Sequence, residues 1–124
     1  MRKTVVYIVV LATLILGVVV ALTGMRYQKT VLNARESVLR EDLVRLRAML
    51  KEYAQKQVLP PQSLDDLVEA GYLREIPDDP ITGNKDWQVT EGEFERASKK
   101  VKGIVDVHSS SARNSSIGTP YNQW

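Results

Sequence analysis

The chain contains no cysteine and one histidine, His108, among its 124 residues. Disulfides, thiolate chemistry and cysteine-ligated zinc are excluded, and so is a histidine-rich metal site within one chain. There is no Gly-rich phosphate loop, no His-Glu-x-x-His, no EF-hand pattern and no internal repeat. No proline occurs before Pro60, so nothing in the first half of the chain forces a helix to stop. Strong net charge is missing too. The formal charge of +2 equals the contribution of Arg2 and Lys3, and the other 15 basic residues balance 15 acidic ones. The pI near 8.9 therefore reflects the N-terminus and argues against a nucleic-acid-binding face.

The most prominent feature present is an apolar run. Val5 to Leu22 is eighteen residues without a charge. As a helix it is roughly 27 Å long, against about 30 Å of bilayer hydrocarbon. Its many β-branched residues suit a helix in water poorly, but lipid forces internal backbone pairing. Arg2 and Lys3 before it place that end in the cytoplasm, and Tyr7 and Tyr27 fall near the two interfaces. A cleaved secretory signal is the alternative. It normally has a shorter apolar region, and Val20-Ala21-Leu22-Thr23 matches an A-x-A cut site poorly. The expectation is a membrane anchor over residues 1–25 and an extracytoplasmic globular domain over 26–124.

No turn separates the apolar run from the charged segment after it, so one helix is expected over Thr4 to Arg47. Leu32, Leu39, Leu43, Leu46, Leu50 and Tyr53 form one stripe, widened by Val31, Val38 and Met49. Arg35, Glu36, Arg40, Glu41, Arg45, Arg47, Lys51 and Glu52 read as the solvated face, with Glu36–Arg40 and Glu41–Arg45 as i,i+4 pairs. The stripe fits a short coiled coil or packing on a small sheet of the same chain.

Pro60-Pro61 ends this helix. Ser63 reads as an N-cap, with Asp66 three residues on, and Gly71 as a C-cap, which predicts a short helix over Leu64 to Ala70. Ile76 to Gly83 is turn chemistry. Asp78 and Asp79 could be paired carboxylates, but adjacent positions between two prolines describe a rigid turn. Trp87 to Thr90 reads as a strand, Glu91-Gly92-Glu93 as a turn, Phe94 to Lys102 as a loop or irregular extension, and Gly103 to His108 as the clearest strand. Asp106, His108 and Ser109 to Ser111 suggest a hydrolase triad only superficially, since no nucleophile elbow or oxyanion hole accompanies them. Lys99, Lys100 and Lys102 come after Glu91, Glu93 and Glu95, which makes a mixed-charge segment. The tail after His108 has no acidic residue and ends in Tyr121 and Trp124, whose apolar area predicts that it folds back onto the domain.

The order of these parts resembles a known family. The carrying residues are Arg26-Tyr27-Gln28, Ala34-Arg35-Glu36 and Ser63-Leu64-Asp65-Asp66-Leu67-Val68-Glu69-Ala70-Gly71-Tyr72-Leu73. Ile76-Pro77-Asp78-Asp79-Pro80-Ile81-Thr82-Gly83, Trp87, Asp106-Val107-His108-Ser109 and Gly118-Thr119-Pro120-Tyr121 complete the set. Over nearly the whole chain this resembles the major pseudopilins of type II secretion, within the type IV pilin superfamily. The resemblance implies an α+β fold, a long N-terminal helix packed on a small antiparallel sheet. It implies a structural subunit with no catalytic residues, in the bacterial inner membrane, its C-terminal domain periplasmic. Its partners would be other pseudopilins or copies of itself, assembly-platform proteins and lipid. A membrane-tethered binding or adaptor module that does not polymerise is the alternative. The sequence departs from the family at processing: Lys3 stands where the cleavage-site glycine belongs, Ile8 where a glutamate belongs, and Met25 where proline is usual. Some pseudopilins hold calcium in an acidic C-terminal loop; the corresponding Ser109 to Gly118 has no carboxylate, so no cofactor or metal is expected.

Overall fold

A computed structural model describes all residues, 1–124. The fold is α+β, with a long N-terminal helix and a two-stranded antiparallel sheet. Helix α1 covers Arg2–Lys56, α2 covers Asp65–Glu69, β1 Gln88–Arg96 and β2 Lys99–His108; a 3-10 turn, Tyr121–Gln123, closes the chain. The residues group into two compact units, 1–34 and 35–124.

In the first unit every residue is exposed except half-buried Val31. Its mean hydropathy reaches 3.0 over eighteen residues, which fits a single membrane-spanning or signal segment. The hydroxyls of Thr13 and Thr23 donate back to the carbonyls of Val10 and Val19, at 2.9 and 2.8 Å. The helix thus meets their hydrogen-bonding need internally, as a lipid surface requires.

In the second unit the expected stripe is the core. Leu39, Leu43, Leu46, Leu50 and Ala54 are buried on α1. They meet Leu64 and Leu67 near α2, Leu73, Ile81, Trp87, Ile104 and Val107 of β2, and Tyr121. Leu32 and Val38, expected in that stripe, are 38% and 47% exposed. Glu36, expected in solvent, is buried instead and lies one turn before Leu39 and two turns before Leu43. The i to i+3 and i+4 spacing therefore extends to a residue whose chemistry disguised its position.

Pro60 and Pro61 do more than stop α1. Both are buried, and the Pro61 carbonyl accepts the Ile104 N–H at 2.7 Å. Gln62 adds a bond from Nε2 to the Lys102 carbonyl at 2.7 Å. The outer edge of β2 is covered in this way, one means by which an edge is protected. Gly103 permits the approach: a Cβ there would lie 2.6 Å from the Pro60 ring and 3.0 Å from the Pro61 carbonyl.

The short helix forms as expected to within one residue at each end. Gly71 closes it at φ +80°. Ser63 does not cap it through its hydroxyl: Leu64 occupies the cap, without a side-chain bond. Asp66 instead reaches back, its Oδ2 accepting the N–H groups of Gln62 at 2.6 Å and Ser63 at 3.2 Å. That is the carboxylate half of a capping box without the hydroxyl half.

The sheet is longer than expected. Glu91-Gly92-Glu93 is inside β1, paired with Ile104, Gly103 and Lys102. Phe94 to Lys102 is a continuation of the hairpin rather than a loop, and the reversal falls at Ala97-Ser98, φ 47° and 66°. Two residues with positive φ make a turn of the type I′ class, usually built with Asn and Gly. Thr90 pairs with Asp106 and Glu91 with Ile104, so Val105 is the extra residue of a β-bulge. Gly92 gives it room: a Cβ there would come within 2.5 Å of the Val105 side chain.

Two outcomes check this account by urea unfolding of the full-length chain in detergent, monitored by tryptophan emission. Gly103→Ala destabilises by about 1–3 kcal/mol, because rigid proline and backbone atoms must give way. Ala97→Asn with Ser98→Gly stabilises by about 1–2 kcal/mol, by relieving left-handed backbone strain.

Candidate functional site

The acid-free tail is held on α1 by a polar clasp. The Glu36 carboxylate accepts three hydrogen bonds from it: Oε1 from the Ser116 N–H at 2.7 Å and the Tyr121 hydroxyl at 2.8 Å, Oε2 from the Ser116 hydroxyl at 2.5 Å. Burial alone, the largest influence, pushes the Glu36 pKa up. The donors of Ser116 and Tyr121, with the charge of Arg40, outweigh it and hold the carboxyl below its usual range. Tyr121 shifts the opposite way: burial first, then the adjacent carboxylate, pushes its hydroxyl up to about 12. Ionised Glu36 and neutral Tyr121 thus stabilise each other.

Arg47, eleven residues on, fastens the end of the tail. Its Nε donates to Asp106 Oδ1 at 2.6 Å, and its Nη2 to the Val107 carbonyl at 3.0 Å and the Trp124 backbone oxygen at 2.6 Å. One guanidinium therefore joins α1, β2 and the tail, which its planar fork allows and a lysine would not. His108 Nδ1 lies 2.8 Å from the same Trp124 oxygen, and Nε2 lies 3.3 Å from Asp106 Oδ2. Burial pushes the Asp106 carboxyl up, but hydrogen bonds from Arg47 and the Val107 N–H, with the Arg47 charge, bring it below the usual range. Arg40 lies 4.6 Å from the Trp124 ring centroid, a cation–π contact. The solvated-face reading is therefore corrected for buried Glu36 and half-buried Arg47, while Arg40 is exposed as expected; all three contact the tail, which folds back as expected.

The other candidate residues are placed as follows. Asp79 is fully buried, its Oδ2 accepting the Ser109 hydroxyl at 2.5 Å and its Oδ1 the Ile81 N–H at 2.8 Å. Neighbouring Asp78 is exposed. Asp86 accepts the hydroxyls of Thr82 and Ser110 at 2.6 and 2.7 Å. The Asp78-Asp79 segment is thus a rigid turn riveted to the serine-rich loop. Asp106 and His108 do share a face of β2, but Ser109 bonds Asp79 and Ser110 bonds Asp86. No serine hydroxyl meets the imidazole that a nucleophile would need. Lys100 pairs with Glu93 at 2.9 Å, and Lys102 faces Glu93 in register, so the basic cluster is offset across the hairpin. No group of three or more His, Cys, Asp or Glu side chains is arranged to hold a metal ion.

Comparison with protein-family models, with curated proteins and with solved structures returns no match for this chain. The architecture itself is compatible with pilin-like folds in general.

The clasp gives stability a window in pH. Glu36 has a depressed pKa, so its contribution is present above its usual value of 4.5 and is lost as pH falls through its folded value. Tyr121 has a raised pKa, so its contribution is complete below 10.0 and is lost as pH rises towards 12. Glu36→Gln removes the acid-side part of this dependence and costs about 1.5–3 kcal/mol at neutral pH, because a charged acceptor is lost. Denaturant titrations of both proteins from about pH 3 to 11 measure the difference.

Proposed function

We propose that this chain is a pseudopilin-like structural subunit of a type II secretion or type IV pilus-related machine. Val5 to Leu22 anchors it in the inner membrane, and residues 26–124 form its periplasmic domain. It contributes to protein export through contacts with other pseudopilins or copies of itself, and with the assembly platform. The observation that carries this reading is the double duty of α1. One helix presents an exposed apolar surface over Val5 to Leu22 and supplies the buried leucines of the domain core. A subunit whose work is mechanical benefits when one element supplies both its lipid-facing surface and its core. Glu36, Arg40 and Arg47 support the reading by fixing the tail to that helix, which stiffens the domain without a disulfide.

A second reading is favoured by two particular residues. Lys3 and Ile8 stand where the family resemblance calls for the cleavage-site glycine and a register-setting glutamate. A chain without them suits a membrane-tethered adaptor that never polymerises.

The absence of cysteine makes the discriminating experiment clean, because each introduced cysteine is unique. Single-cysteine variants along Val5 to Leu22, oxidised in native membranes, are expected to give disulfide-linked dimers at a helical periodicity. Monomers at every position overturn the subunit reading and leave the adaptor.

A further inference from the structure

We infer that the groove between α1 and the β-hairpin is a docking site for a partner protein's peptide segment in which a carboxylate is flanked by apolar side chains. The cavity is about 590 Å³, within the range of sites that enclose a ligand. Leu50 and Ala54 wall it from the helix, and Phe94, Ile104 and Val105 from the hairpin. Phe94, the chain's only phenylalanine, is half-buried and stands outside the core cluster. Val105 is the bulge residue and is 45% exposed. Leu50, Ala54 and Ile104 are core residues that floor the groove, whereas Phe94 and Val105 give it apolar surface that the protein's own core does not use.

Its charges specify the occupant. Arg47 is spent on Asp106, Val107 and Trp124. Lys51 and Arg96 line the same groove and take part in no ion pair. Arg96 Nε is also the one buried side-chain nitrogen or oxygen without a hydrogen-bond partner. A desolvated N–H without an acceptor is a rare and costly state, and a turn of the half-buried Arg96 side chain into the groove would bring its guanidinium to a ligand oxygen. Against these two free cations the groove offers Glu95 as its one unpaired carboxylate. The surplus favours an incoming carboxylate, and the apolar walls favour neighbours that are not charged.

A peptide fits better than a fatty acid. β2 has its outer edge covered by Pro61 and Gln62, whereas β1 has no backbone partner beyond the ladder to β2. Phe94, Glu95 and Arg96 belong to β1, so a wall of the groove is an open strand. Main-chain groups of a peptide can pair there, as in strand addition, and a hydrocarbon tail cannot. The site stands on this geometry alone, whatever machine the chain serves.

The test uses the full-length chain in phosphatidylcholine nanodiscs and fluorescence anisotropy of a labelled pentapeptide, Leu-Val-Glu-Val-Leu. The glutamate peptide is expected to bind at least ten-fold more tightly than its lysine counterpart. Arg96→Gln and Phe94→Ser each weaken it ten-fold or more, while Val44→Ser leaves it unchanged. Arg96→Gln must melt like the parent, so that lost binding is not lost folding. No binding, equal affinity for the two peptides, or full affinity in Arg96→Gln overturns the site. Binding of decanoate without the peptide assigns the groove to a small amphiphile and overturns the peptide occupant. Self-association that Arg96→Gln abolishes assigns it to a second copy, with the same consequence.

Discussion

A buried carboxylate is the constraint on which the second unit depends. Glu36 sits on the apolar stripe of α1, where an ionised group is stable only if protein donors replace water. Three donors, all from Ser116 and Tyr121, do so. Without the tail the stripe would expose a charge to the core; without the charge the tail would lose its anchor. Tyr121 joins the polar and apolar parts. Its hydroxyl reaches Glu36, and its ring lies in the leucine core, edge-on to Trp124 at 5.3 Å. The tail and the stretch of α1 beneath it are thereby ordered together, with Arg47 as the second fastening.

The remaining connections repeat that solution with different residues. Asp79 and Asp86 bond the proline-rich turn to Ser109 and Ser110, and Trp87 Nε1 reaches the Pro77 carbonyl at 2.8 Å. Arg113 Nη2 bonds the Ile81 carbonyl at 2.6 Å. Long irregular segments satisfy their polar groups through single side chains reaching across to a neighbour. A chain with no disulfide and only two strands holds its loops in this manner. The apolar side chains from Val5 to Leu22, by contrast, are exposed along the whole segment.

Much of this was legible in the sequence. The leucine spacing located the core face of α1, Pro60-Pro61 its end, Gly71 the close of α2, and the alternation after Gly103 the strand β2. What escaped has physical reasons. Glu36 and Arg47 look like ordinary charges of a solvated face, and their partners lie 59 to 85 residues away. The available signal was positional: residue 36 falls on the 39, 43, 46 stripe, and the tail is rich in hydroxyl donors but free of acid. β1 was cut short because Glu91-Gly92-Glu93 carries turn chemistry, whereas Gly92 serves as clearance for the Val105 bulge. The true reversal is Ala97-Ser98, which lacks the Asn-Gly signature of its turn class. The α1–hairpin groove had no sequence signal, because Leu50, Phe94 and Arg96 meet only after folding.

The separation between Glu36 and its partners has a consequence in time. Synthesis runs from α1 to the tail, so the helix exists as a chain long before Ser116 and Tyr121 do. During that interval Glu36 keeps its water, and the leucine stripe beside it cannot close into a dry core. The segment from Ser116 to Tyr121 therefore completes the domain by supplying the donors of Glu36. Its arrival converts a helix with one hydrated charge into a finished domain.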